Sequence, residues 1–219
     1  MRSKTIKGLY AVTPETSDSD WLCARVEAVL AGGARIIQYR SKGSDARCRG
    51  QQVGRLVDVC GARGALLIIN DDVALAREVG ADGVHLGSED IPVADARAEL
   101  GDRALIGVSC YDSLARARQA QSEGADYVAF GSFFPSSVKP GALRAPLELL
   151  LAARPVIDLP IVAIGGITPE NGRRLVEAGA DALAVISALF QVPDSCLAAQ
   201  AFTALFQMQD EPLKIDSDR

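Results

Sequence analysis

Near the amino end, the stretch Ile36-Ile37-Gln38-Tyr39-Arg40-Ser41-Lys42 carries an amide and two cations at alternate positions. In extended backbone, alternate side chains share a face, so Gln38, Arg40 and Lys42 are expected to point the same way as Ile36. That arrangement suits an anion or a polar ring. A solvent-facing strand end with ordinary charges is the other reading, and it fits poorly if the strand is covered on both faces. Farther on, Leu66-Leu67-Ile68-Ile69-Asn70 runs into Asp71-Asp72, and Gly87-Ser88-Glu89-Asp90 forms a second acidic cluster. An acidic pair where a strand meets a helix can hold a hard cation or cap the helix. We assign Asp71 to a metal and Asp72 to the cap, and beside Asp71 the second cluster can supply another carboxylate for one Mg²⁺. Charge arithmetic supports a cation: a carboxylate and a phosphate oxygen about 4 Å apart repel by about 4 kcal/mol at an effective dielectric near 20, and a divalent ion between them reverses the sign.

A phosphate signal comes late in the chain. Ile161-Val162-Ala163-Ile164 leads into Gly165-Gly166-Ile167-Thr168-Pro169-Glu170, where glycines allow close backbone approach and Thr-Pro starts a helix. The apolar run through Ile186 ends at Ser187. The run ending Gly107-Val108-Ser109 and the loop from Gly131 to Gly141 add hydroxyls and Lys139, the composition of a mobile phosphate-covering loop. His85, the only histidine, lies within an apolar run and is expected to be a packed or supporting imidazole rather than a general base. Trp21 and Cys110 are expected to pack.

Elements must bring these distant segments together. Short Val, Ile and Leu runs at 6–13, 34–40, 65–70, 82–86, 104–109, 125–130, 160–164 and 182–186 alternate with helical periodicity. That order predicts βα units on a parallel sheet, and eight of them predict a (β/α)8 TIM barrel of the α/β class. In such a barrel, chemistry gathers at the carboxyl ends of the strands, and the loops after strands seven and eight commonly hold phosphate. Gly33-Ala34-Arg35, Gly80-Ala81-Asp82, Gly124-Ala125-Asp126 and Gly179-Ala180-Asp181 form a weak repeat before strands. Asp82, Asp126 and Asp181 therefore fall at strand beginnings, the stability face. One catalytic domain is expected over 1–207, with a flexible tail over 208–219.

Composition limits the function classes. The 219 residues are 48% hydrophobic and 5% aromatic, an ordinary globular make-up with an aliphatic core. A net charge of -5 argues against generic binding to nucleic acid or anionic membrane. The start lacks a signal-peptide pattern, and no run reaches the roughly 18 apolar residues of a membrane span, so a cytoplasmic location is expected. The five cysteines are widely spaced without a Cys-x-x-Cys pair, as expected of reduced packing thiols.

With these motifs in place, the chain resembles the thiamine-phosphate synthase family from Gly8-Leu9-Tyr10 to Ser187-Ala188. The resemblance rests on ordered segments: GLYAVT, IIQYRSKG, IINDD, GVHLGSED, GVSCYD, FGSFFPSSVKP, AIGGIT and VISALF. It implies a Mg²⁺-requiring barrel transferase that joins 4-amino-2-methyl-5-hydroxymethylpyrimidine diphosphate to a thiazole phosphate, its carboxylated form included. Under it, Gln38, Arg40, Lys42 and Asn70 match pyrimidine-diphosphate contacts, and Asp71 and Asp90 match metal ligands. Ser109 matches a serine near the reacting centre, and Lys139 a diphosphate contact. Gly166, Ile186 and Ser187 match the grip on the thiazole phosphate. The family loop often reads Thr-x-Thr-Lys, where this chain has Ser136-Ser137-Val138-Lys139. Ser136 keeps a hydroxyl and Val138 cannot donate, a loss of about 0.5 to 1.5 kcal/mol or up to about tenfold in affinity.

The expected chemistry is a dissociative substitution, since no nucleophile stands beside a partnering base. Arg40, Lys42, Ser109 and Lys139 form the catalytic set. The alternatives are a thiazole tautomerase-like isomerase, which needs no metal-diphosphate site, and a non-catalytic sensor of thiamine-pathway phosphates. The expected partners are small molecules, and a homo-oligomer is left open.

Overall fold

Every apolar run becomes a strand: β1 (Gly8–Val12), β2 (Ile36–Tyr39), β3 (Leu66–Asn70), β4 (Gly83–Leu86), β5 (Leu105–Tyr111), β6 (Tyr127–Gly131), β7 (Ile161–Ile164) and β8 (Ala182–Val185). The ends fall within two residues of those expected from sequence. The structure, a computed structural model, describes residues 5–43, 45–135 and 144–207. Its strands are all parallel and close in chain order, β1 pairing with both β2 and β8. The helices are α1 (Ser19–Ala31), α2 (Ala46–Arg63), α3 (Val73–Val79), α4 (Val93–Leu100), α5 (Leu114–Ser122), α6 (Glu148–Ala153), α7 (Pro169–Glu177), α8 (Ser187–Phe190) and α9 (Ser195–Gln207). The chain is thus a (β/α)8 TIM barrel. The expected tail over 208–219 lies outside the described residues.

Both faces of each strand are buried, but alternate residues enter different cores. Tyr10, Val12, Ile36, Ile68, Leu105, Tyr127, Val162 and Ala184 fill the barrel interior, while Leu9, Ala11, Ile37, Ile69, Ile106 and Val128 pack outward with the helices. This explains why the sequence shows continuous apolar runs. Glycine makes room inside the barrel, since a Cβ on Gly107 would lie 1.9 Å from Tyr127 Cζ. Cys23, Cys60 and Cys110 are buried among the outward-packing residues. Burial pushes the Cys60 and Cys110 thiols up to about 12, as suits packing thiols.

The repeat aspartates stitch the amino ends of the strands. Asp82 accepts from the Leu67 N–H, Asp126 from Ile106 and Asp181 from Ile161, at 3.0, 2.7 and 2.7 Å. Arg97 and Arg154 hold the last two carboxylates at 2.6 and 2.8 Å. These residues serve stability, as their position predicts. Arg35 cannot accept in this way. There α9 closes the structure, with Thr203 Oγ1 donating to the Gly32 carbonyl at 3.1 Å. A Cβ on Gly32 would lie 2.4 Å from the Cys196 carbonyl oxygen. None of the described helices is long and apolar enough to cross a membrane.

Candidate active site at the carboxyl ends of the strands

A cavity of about 780 Å³ opens at the carboxyl ends of the strands. On one side it is lined by Gln38, Arg40 and Asn70 from the ends of β2 and β3, and by Ser109 of β5. On the other side are Gly166 after β7, with Ile186 and Ser187 after β8. Seven residues singled out from the sequence therefore share one space. Ser136, Val138 and Lys139 lie outside the described residues.

Lys42 stands beyond the strand, where other contacts place it. The β2 ladder ends at Tyr39, so alternation no longer governs residue 42. Glu15 instead gathers the turn, accepting from Ser41 Oγ, Lys42 N and Gly43 N at 2.9, 2.8 and 3.0 Å. Thr13 Oγ1 accepts from the Arg40 N–H at 2.9 Å. Lys42 is not among the cavity-lining residues, and its Nζ lies 3.2 Å from Asp71 Oδ2.

Asp71 and Asp90 are also absent from the lining. They stand beside it, Asp71 following Asn70 with a left-handed φ of 63° and its N–H donating to the His85 carbonyl. Burial holds the Asp90 carboxyl above its ordinary value, and the adjoining Asp71 carboxyl adds to this, while the Gly87 N–H at 2.6 Å and Lys42 oppose it. Two carboxyl groups in contact, attended by a lysine, form a donor set that a hard cation completes. Among the described residues no three His, Cys, Asp or Glu side chains form a metal cluster. A cation here would thus draw its remaining oxygens from substrate and water, which fits Mg²⁺. Asp72 instead caps α3, accepting from the Leu75 N–H at 2.9 Å.

The glycine loop is drawn in tightly. Gly165 and Gly166 have φ of 108° and 62°, and a Cβ on Gly166 would lie 2.2 Å from the Pro135 carbonyl oxygen. Asn171, in the first turn of α7, ties the loop to its helix. Its Oδ1 accepts from the Thr168 N–H at 2.9 Å, and its Nδ2 donates to the Gly166 carbonyl at 3.1 Å. His85 also lines the cavity and is 9% exposed, with Nδ1 3.1 Å from Tyr127 Oη and Nε2 2.9 Å from Ser109 Oγ. Both ring nitrogens thus have hydrogen-bond partners within the barrel.

Comparison with known proteins decides the family. A family model described as thiamine monophosphate synthase matches residues 9–189. The chain belongs to this family. It is 56% identical over 201 residues to a thiamine-phosphate synthase of Azoarcus sp. (strain BH72), covering 92% of this chain and 98% of that protein. A thiamine-phosphate synthase of Acidithiobacillus ferrooxidans is 55% identical over 210 residues, covering 94% and 97%. Among solved structures, a thiamine phosphate pyrophosphorylase from Pyrococcus furiosus superposes with a TM-score of 0.84 at 33% identity, covering 93% and 97%.

In this family member, Thr13, Glu15, Arg116 and Asn171 are positioning residues that sequence reasoning passed over. Thr13 and Glu15 follow β1, and testing the polar residues after every apolar run would have found them. Arg116 fastens the site from α5, with Nε donating to the Ser109 carbonyl at 2.7 Å and a terminal nitrogen to the Gly87 carbonyl at 3.0 Å. We expect Glu15→Ala to lower kcat/KM roughly tenfold, because three exposed hydrogen bonds to a carboxylate together contribute about 1 to 2 kcal/mol to ordering the Arg40–Lys42 turn. Steady-state kinetics check this, and an unchanged kcat/KM would show that the turn holds itself.

Proposed function

We propose that this enzyme joins 4-amino-2-methyl-5-hydroxymethylpyrimidine diphosphate to 4-methyl-5-(2-phosphoethyl)thiazole, or its carboxylated form, yielding thiamine phosphate and diphosphate. The observation that carries the reading is a single cavity with two unlike sides. An amide-and-cation side around Gln38, Arg40 and Asn70 faces a glycine-and-helix side at Gly166 and Ser187. The first suits a polar ring bearing a diphosphate, the second a phosphate monoester.

Gln38 and Asn70 orient the pyrimidine ring with neutral amides. Arg40, with Lys42 and Lys139, stabilises charge developing on the departing diphosphate. Asp71 and Asp90 hold Mg²⁺, which when bound supplies charge neutralisation at the leaving group. As the C–O bond to diphosphate breaks, the electron-rich aminopyrimidine stabilises the methylene cation left behind. The thiazole nitrogen, fixed through its phosphate at Gly166, Ile186 and Ser187, then attacks that carbon. The protein contributes position and electrostatics, and no residue need form a bond to substrate. Ser109 donates a hydrogen bond and transfers no proton. Both substrates are soluble phosphates, in keeping with a cytoplasmic enzyme.

The test supplies the purified protein with both substrates, with and without Mg²⁺, and reads the product by mass. Thiamine phosphate formed only with the metal is the expected result. Metal-independent isomerisation of the thiazole without coupling, or tight binding without turnover, would overturn the proposal. We further expect Asn171→Ala to raise KM for the thiazole phosphate roughly five- to twentyfold, since its two bonds to the glycine loop contribute about 1 to 2 kcal/mol. KM for the pyrimidine diphosphate should stay unchanged in the same kinetics, and equal changes in both would assign Asn171 to general stability.

A further inference from the structure

At the floor of the cavity, a line of polar side chains crosses the otherwise apolar barrel interior. Gln38 Nε2 donates to Tyr10 Oη at 3.1 Å. Tyr10 Oη lies 2.9 Å from Tyr127 Oη, which lies 3.1 Å from His85 Nδ1. His85 Nε2 lies 2.9 Å from Ser109 Oγ. Both phenols are buried, with Tyr10 1% and Tyr127 0% exposed. The Tyr127 ring packs against its neighbours, tilted 59° to Tyr10 and stacked on His85 at 5.6 Å between centroids. The two ends of this line, Gln38 and Ser109, border the cavity, as does His85 within it.

Proton counting gives the line a direction. Each phenol has one proton, and a neutral imidazole has one N–H. Because Tyr10 accepts from Gln38, its own proton goes to Tyr127. The reverse order would leave the buried Tyr10 proton without an acceptor among the described residues, a costly arrangement. Tyr127, accepting from Tyr10, then passes its proton to His85 Nδ1. His85 must therefore carry its proton on Nε2 and donate it to Ser109 Oγ. The Ser109 hydroxyl proton is left to turn toward the cavity. At the other end, a Gln38 amide engaged through its nitrogen offers its carbonyl oxygen.

We propose that Tyr10, Tyr127 and His85 form a directional hydrogen-bond relay that sets the polarity of the site, fixing Gln38 as an acceptor and Ser109 as a donor toward the bound pyrimidine diphosphate. His85 is thereby a positioning residue, held as the neutral Nε2–H tautomer, and not an acid or base. The role in substrate recognition rests on the synthase reading above. The relay itself does not. A ring amine meets the acceptor, and a ring nitrogen or phosphoryl oxygen meets the donor.

The single histidine makes the test direct. In ¹⁵N-labelled protein without ligand at pH 8, a long-range ¹H–¹⁵N correlation spectrum shows one imidazole. The expected pattern is a protonated Nε2 and an unprotonated Nδ1. A protonated Nδ1, a doubly protonated ring or rapid averaging of the tautomers would overturn the relay. Tyr127→Phe keeps the ring and removes the link. We expect it to bring the tautomers into exchange and to raise KM for the pyrimidine diphosphate roughly tenfold, with KM for the thiazole phosphate unchanged. His85→Gln, which keeps an N–H donor, should retain at least several-fold more kcat/KM than His85→Leu. Equal kinetics for the two variants would reduce His85 to packing. Should the wild type show no synthase turnover, the tautomer pattern still decides the relay. A wrong tautomer in a fully active enzyme removes the relay alone.

Discussion

Gly107→Ala is expected to destabilise the protein by about 3 kcal/mol, lowering Tm by roughly 6 to 12 °C, because the added methyl overpacks a filled interior. A Cβ at this position would lie 1.9 Å from Tyr127 Cζ and 2.4 Å from both Cε atoms. Tyr127 is fully buried, packed against His85 and hydrogen-bonded to Tyr10, so it has no open space to enter. Any shift that relieves the clash pulls Tyr127 from His85, and activity should fall along with stability. Gly54→Ala is the matched control: it lies within α2, where a Cβ meets nothing within 4 Å, and alanine there should stabilise by about 0.5 to 1 kcal/mol. Thermal or urea denaturation of the pair checks the prediction. Equal stability of Gly107→Ala and wild type would mean that the interior is looser than its contacts indicate.

The second large effect is chemical. Asp71→Ala should lower kcat/KM by roughly 10³-fold, about 4 kcal/mol of lost stabilisation at the leaving group, and chelator should reduce wild type to a comparable level. Its chain neighbour supplies the contrast. Asp72→Ala removes a helix cap worth about 1 kcal/mol and should lower Tm while turnover persists. Parallel activity and melting measurements on the two variants separate these roles. Undiminished turnover in Asp71→Ala would remove the metal assignment.

Sequence periodicity located the strands because aliphatic runs bounded by Gly-Ala-Asp turns have few other ways to fold. It could not say which residues face the interior, since both faces of a barrel strand are apolar. Gln38, Asn70, Ser109 and Ser187 were legible as polar ends of apolar runs. How Lys42 is held was not legible, because its turn after β2 is curled by Glu15, which sits far away in sequence. Tyr10 and Tyr127 were equally opaque. Within an apolar run a tyrosine reads as core, and only the closure that brings β1 and β6 across one interior reveals that their hydroxyls meet.

The fastening of Gly32 by α9 bears on how the chain matures during translation. Three strand pairs are each buckled by an aspartate in the turn just before the later strand, so they can lock as soon as that strand leaves the ribosome. The turn entering β2 waits instead for Thr203, near the end of the described chain. The half of the cavity that holds Gln38 and Arg40 is therefore fastened by a helix made long after its own strands, and gains its full support only once α9 has emerged.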